Sequence, residues 1–123
     1  MEHAEKQLTE QEVLARLAAL CSRAEHCTGE MIEKMQRWGV NEDQQKRIIA
    51  YLVSHKYVDD ERYCRFFVRD KMRYNRWGRR KIEQALYVKR VPRDIYAPIL
   101  DELEADEYVE TLRSLLESKR RTL

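Results

Sequence analysis

Glycine and proline are scarce, with three and two in 123 residues, which leaves few of the breakers that a sheet-rich fold with many turns requires. Long apolar runs are missing too. No stretch approaches the roughly 20 residues needed to span a bilayer, and the opening MEHAEKQLTEQE has neither the apolar segment of a signal peptide nor a twin-arginine pattern. A cytosolic, cytoplasmic protein without a membrane partner is expected. Cysteine is sparse and odd in number: Cys21, Cys27 and Cys64 contain no CxxC spacing, and a zinc site would need distant histidines that nothing places. His3, His26 and His55 are scattered. With no Gly-rich phosphate loop, HExxH, GxSxG or paired-carboxylate constellation either, neither a metal, a cofactor nor an enzyme activity is expected.

Charge is plentiful at 37%, and the apolar residues recur at helical spacing. An all-α chain follows. Thr9 and Glu12 form a capping box ahead of Val13, Leu17, Leu20, Cys21 and Ala24, which predicts a helix over 9–24 after a frayed start at 1–8. Met31, Ile32 and Met35 mark a helix over 30–38 that Gly39 ends in a left-handed turn. Asn41 and Gln44 open a helix over 41–55. Asp59 and Asp60 start the next, over 59–75, where Tyr63, Cys64, Phe67, Val68, the stem of Lys71 and Tyr74 share one face. Helices over 79–90, 92–104 and 105–120 complete a set of seven.

A shift of 51 residues lays Met31, Met35, Val40, Ile48 and Leu52 over Ile82, Leu86, Val91, Ile99 and Leu103. Such a period means stacked supersecondary units. The boundaries expected are a three-helix unit at 9–58, a second at 59–104, and at 105–123 the first helix of an incomplete third. Pro98 conflicts with a regular sixth helix, since an interior proline removes a hydrogen bond and clashes with the preceding turn. Either the helix kinks there or 92–96 is a separate turn, and the kink is preferred.

Positive charge is unevenly spread. From Arg65 to Arg93 there are eleven basic residues against two acids, a local +9, while the rest of the chain carries thirteen against twenty, −7, giving the net +2. A mild net charge thus conceals a strongly basic strip. The contacts expected from it are Arg73, Arg76, Arg79, Arg80 and Lys81 around Trp77, with Lys89, Arg90 and Arg93 behind them. Exposed Arg and Lys alone fit a merely solvated helical face almost as well. Trp77, Trp38, Tyr63, Phe66 and Phe67 read as packing residues, Phe66 nearest the edge, and Asp59 and Asp60 as helix-start residues.

Tyr57-Val58-Asp59-Asp60-Glu61-Arg62-Tyr63, then Phe67-Val68, Trp77-Gly78, Lys81-Ile82 and Leu86, resembles the central signature of the RecX family of bacterial recombinase regulators. Glu30-Met31, Met35 and Trp38-Gly39-Val40 are similar to its first-unit pattern, so the likeness runs from about Val13 to Leu116. It implies tandem three-helix units and a non-enzymatic regulator that binds the RecA nucleoprotein filament on single-stranded DNA, lies in its groove, and suppresses strand exchange and ATP hydrolysis. Nonspecific contact with single- or double-stranded DNA is compatible with it, and the oligomeric state is left open. The likeness also implies a completed third unit, which this chain does not carry, and it gives no reason for Pro98. The alternative is a helix-turn-helix-like, sequence-specific DNA-binding protein. Against it, the would-be recognition helix of the first unit opens with Asn41-Glu42-Asp43, acids where phosphates would approach.

Overall fold

Thr9 Oγ1 accepts a hydrogen bond from the Glu12 N–H at 3.1 Å while the Glu12 carboxylate accepts from the Thr9 N–H at 2.8 Å, and this reciprocal box opens α1 (Glu10–Arg23). The computed structural model describes residues 7–122. Glu30 accepts from the Cys27 N–H at 3.1 Å, so α2 (Thr28–Arg37) begins two residues before its expected start. Asn41 caps α3 (Glu42–Ser54) through the Gln44 N–H at 2.9 Å. Asp59 caps α4 (Asp60–Arg73) through the Arg62 N–H at 3.0 Å. Gly78 precedes α5 (Arg79–Val88) and brings no side-chain cap. The last element is α6 (Arg93–Thr122).

Three of these helices stop in the same way. Residues Gly39, Lys56 and Arg90 follow α2, α3 and α5 with φ of 75°, 61° and 62°, and the next residue's N–H reaches back to a carbonyl of the last turn: Val40 to Met35 at 2.9 Å, Tyr57 to Leu52 at 2.9 Å, Val91 to Leu86 at 3.0 Å. This is the left-handed closure that absorbs free carbonyls at a helix end. Only one of the three sites has glycine, so Lys56 and Arg90 hold a conformation that their Cβ disfavours.

The helices gather around two cores. Val13, Leu17, Met31, Met35, Ile48, Leu52 and Val58 form one, and Tyr63, Cys64, Val68, Ile82, Leu86, Ile99, Leu100 and Leu103 are central to the other. The pairs related by the 51-residue shift, Met31 and Ile82, Met35 and Leu86, Ile48 and Ile99, Leu52 and Leu103, are all buried. Among the described residues there is no strand and there are six helices.

Several expectations need correction. The two helices expected over 92–104 and 105–120 are one continuous helix, so the count is six rather than seven and no helix begins at 105. From Ile99 to Thr122 the chain has neither glycine nor proline to stop it. Pro98 lies inside α6, which starts at Arg93 rather than at the proline. Its ring is exposed and near the helix start, where water can take up the one carbonyl it leaves unbonded. Tyr74, placed on the buried face by its spacing, is 80% exposed, because α4 ends at Arg73 and the chain turns away. Leu8 packs against the first core instead of fraying; residues 1–6, the rest of that expected frayed start, and His3 among them, lie outside the described residues.

The two cores meet at a narrow joint. The start of α2 lies between the start of α4 and the end of α5: Asp60 accepts from the Thr28 N–H at 2.7 Å, Cys27 Sγ lies 3.5 Å from the Lys89 carbonyl, and Lys89 Nζ is 2.7 Å from Glu30. Cys27, from the first half of the chain, is counted within the second core. Arg62 adds a charged hydrogen bond to Glu25 at 2.8 Å.

Candidate docking surface

Basic residues crowd the turn between α4 and α5, with Asp70 the one acid in the last turn of α4 and none in the first turn of α5. Lys71 and Arg73 close α4, where cations are favoured by the helix dipole, while Arg79, Arg80 and Lys81 open α5 with no acid in its first turn, where they are disfavoured. Such an arrangement has reason to bind an anion. The free backbone N–H groups of α5 and the side chains beside them all present positive charge, and Gly78 has no side chain to accept from those N–H groups.

Ion pairing thins the strip. Arg65 binds Glu102 with two hydrogen bonds at 2.8 and 3.0 Å. Arg79 reaches Glu104 at 2.6 Å, Asp101 at 2.8 Å and Glu83 at 3.4 Å, and its hydrogen bonds to Asp101 and Glu104 raise its pKa further. Lys89 is tied to Glu30, a hydrogen bond that likewise raises the ammonium pKa. Lys71 has Asp70 at 3.7 Å. Of the residues singled out from the sequence, Arg79 and Lys89 are therefore already neutralised within the molecule.

Arg73, Arg76, Arg80, Lys81 and Arg93 are exposed, and none of them makes an ion pair among the described residues. Arg90 is also exposed and makes a long 3.4 Å hydrogen bond to Gln36. The eight candidates do not form one patch: Arg73, Arg76, Arg80 and Lys81 stand at the start of α5, Arg90 and Arg93 beyond its end, about 15 Å away along a ten-residue helix. Arg73 has a mixed setting. It lines a groove between α4 and α6 whose far wall is Asp106, Glu107 and Glu110.

Trp77 organises this corner. Its backbone N–H donates to the Lys71 carbonyl at 3.0 Å, Phe67 meets its ring edge-on with centroids 6.4 Å apart, and the ammonium groups of Lys81 and Lys71 lie 4.5 and 5.1 Å from the ring centre. The indole thus gathers two cations by their attraction to its face. Arg76 adopts a left-handed φ of 56° in the turn. Tyr63 is buried, Phe67 and Trp38 pack at core edges, and Phe66 is exposed.

The contacts that Glu30 and Asp60 make across the joint, and the close approach at Gly29, escaped sequence reasoning. Asp60 reads locally as part of a helix start, and its bond to Thr28 crosses 32 residues. The pairing of Glu30 with Lys89 crosses 59; no local pattern signals either. The cysteines are free, and burial pushes the thiols of Cys27 and Cys64 up to about 11. Among the described residues no group of three or more His, Cys, Asp or Glu is placed to hold a metal ion, and no helix is long and apolar enough to cross a membrane.

Residues 59–97 match the family model described as RecX, second three-helix domain. The chain is 33% identical over 100 residues to the regulatory protein RecX of Vibrio campbellii, covering 81% of this chain and 63% of the relative. It is 32% identical over 90 residues to the regulatory protein RecX of Clostridium perfringens, covering 73% and 42%. With that of Caldanaerobacter subterraneus the identity is 28% over 102 residues, covering 82% and 51%. The chain thus spans about half the length of the curated relatives it matches. No solved structure matches it.

Proposed function

This chain belongs to the RecX family, and from that premise we propose that it is a non-enzymatic regulator that docks on the RecA nucleoprotein filament and restrains strand exchange and ATP hydrolysis. The observation that carries the docking reading is the corner where Arg76, Arg80 and Lys81 are exposed and without a carboxylate partner at the uncapped start of α5. Such a corner gains from any polyanion, whether acidic protein surface or DNA phosphate, through complementary potential and released counterions. Arg93 and Arg90 supply a second point of attachment. Arg79 and Lys89 support the surface from within, because their charge is spent on Asp101, Glu104 and Glu30.

The test is RecA's ATPase on single-stranded DNA, titrated with this chain and with Arg76→Glu, Arg80→Glu and Lys81→Glu combined. The triple variant is expected to need at least about tenfold more protein for the same inhibition, with its circular dichroism unchanged. Inhibition at the original concentration would remove this corner from the docking surface. Strong selectivity for one duplex sequence in the absence of RecA would instead indicate a sequence-specific DNA-binding protein.

A further inference from the structure

Where α5 ends and α6 begins there is an open groove of about 610 Å³, lined by Tyr87, Val88, Arg90, Pro92 and Arg93 together with the buried Tyr96. No carboxylate is among its lining residues. Tyr87 and Val88 are 78% and 74% exposed. Arg93 makes no ion pair among the described residues, and Arg90 has only its long hydrogen bond to Gln36.

The fold does not require these side chains. Under the 51-residue shift α2 and α5 coincide from first residue to last, and Tyr87, Val88, Pro92 and Arg93 fall on Gln36, Arg37, Asn41 and Glu42. The first unit thus fills the same place with polar residues, one of them acidic. Those residues are exposed although a unit follows, and their counterparts are exposed although a unit precedes. Stacking in this manner therefore leaves the place uncovered on both sides of the joint. Two large apolar side chains held in water where Gln and Arg serve equally well mark a surface that meets a partner.

We propose that this groove takes an acidic peptide segment of a partner protein, with one large apolar side chain seated on Tyr87 and Val88 and flanking carboxylates held by Arg90 and Arg93. Charge complementarity selects the occupant: guanidinium forks bind carboxylates with two hydrogen bonds each, and no acid of the groove competes for them. Phosphates would satisfy the arginines as well, but a single-stranded nucleic acid also stacks its successive bases on aromatic faces. Here Tyr87 is the one freely exposed ring, since Tyr96 is 9% exposed, and aliphatic Val88 and Pro92 stand beside it. Arg90 and Arg93 are the second point of attachment proposed above, so the inference rests on that reading for the use of the groove and adds the chemistry it takes.

The amide NMR spectrum of the whole chain, titrated with the peptide acetyl-Asp-Glu-Leu-Glu-Asp-amide, tests this. Shifts are expected around Tyr87, Val88 and Arg93, with a dissociation constant of about 1 mM or below. Serine in place of the peptide's leucine should weaken binding at least about fivefold. Tyr87→Gln and Val88→Arg combined give this place the first unit's residues and add a positive charge. The pair should nevertheless weaken binding at least about fivefold, whereas attraction by charge alone would strengthen it. No shift at about 10 mM peptide overturns the proposal, as does binding indifferent to the leucine or undiminished in the double variant. Oligothymidylate that moves the Tyr87 and Val88 amides at lower concentration than the peptide gives the groove to nucleic acid and overturns it. Movement of the same amides with protein concentration alone gives the groove to a second copy and overturns it too. Peptide binding by a chain that leaves RecA's ATPase untouched removes the docking reading and upholds the groove.

Discussion

Gly29 lies beneath Lys89: a β-carbon added to the glycine would overlap the Lys89 carbonyl oxygen and come within 3.0 Å of the Arg90 Cβ. Backbone rather than a yielding side chain stands in the way, at the narrow joint between the cores. Gly29→Ala is therefore expected to lower the unfolding free energy by roughly 1–3 kcal/mol, although alanine in a helix normally stabilises relative to glycine. Gly78 has nothing within 4 Å of the equivalent position, and Gly78→Ala should cost only the weaker cap, about 0.5 kcal/mol. Urea unfolding of the two variants side by side checks both values; equal losses would mean that the joint tolerates a methyl group.

The same joint predicts a pH profile. Burial opposes ionisation of Glu30, but hydrogen bonds from Lys89 and the Cys27 N–H outweigh it and hold the carboxyl below its ordinary 4.5. A carboxyl lowered in the folded state contributes stability that is present above the unfolded value and is lost as pH falls through the folded one. Lys89, raised above 10.5 by its hydrogen bond to Glu30, contributes fully below 10.5 and loses this contribution as pH rises through its folded value. The joint is thus firmest between these limits. Urea midpoints from pH 7 downward should fall more steeply for the natural chain than for Glu30→Gln, and parallel curves would show that Glu30 does not titrate with folding.

Arg79 and Arg80 are neighbours with opposite assignments, so they separate stability from docking. Arg79 joins Glu83, Asp101 and Glu104, and its loss leaves three carboxylates close together without a cation. Arg79→Ala should cost about 1 kcal/mol, reduced by the partial exposure of the network, and change filament inhibition little. Arg80→Ala should leave the melting temperature unchanged and weaken inhibition. If the thermal and ATPase effects fall on the other residue of the pair, the division of roles is wrong.

Much of this architecture is written locally in the sequence. Thr9 with Glu12, Asn41, Asp59 and Gly39 are boundary signals that act within four residues, and each stands where it was read. The 51-residue repeat likewise carries through to paired burial of Ile48 with Ile99 and Leu52 with Leu103. The repeat misleads where local chemistry permits two outcomes. Tyr57-Val58 and Tyr108-Val109 are related by the same shift, yet Val58 is buried behind a left-handed Lys56 while Val109 is half exposed on an unbroken helix. Neither Lys56 nor Glu107 is a strong breaker, so the difference is set by packing rather than by residue type. The docking surface was legible as composition but not as pairing. Eleven basic residues can be counted, but that Arg79 folds onto α6 and Lys89 onto α2 depends on contacts 22 to 59 residues apart.

The thiols allow a further test of the cores. Cys27 and Cys64 are completely buried and their thiols are raised to about 11, chiefly by burial, whereas Cys21 is only half-buried, although its thiol is raised too. Thiolate is the reacting species, so at neutral pH an aromatic disulfide reagent should label Cys21 slowly and the other two only after unfolding. Mass spectrometry of the labelled peptides identifies the site; early labelling of Cys27 would mean that the joint opens far more readily than the second core.

Lys56 and Arg90 offer the last prediction, because each holds at φ 61° or 62° the turn that Gly39 holds at 75°. A side chain in this region costs on the order of 1 kcal/mol relative to glycine, partly offset by the greater freedom glycine has in the unfolded chain. Lys56→Gly and Arg90→Gly are each expected to raise the unfolding free energy by about 0.5–1 kcal/mol. Their functional effects should differ, since Arg90 stands on the proposed docking surface and Lys56 does not. Denaturation measures the common gain, and the RecA ATPase titration measures the difference. A loss of stability in both variants would show that the side chains contribute more than their backbone strain removes.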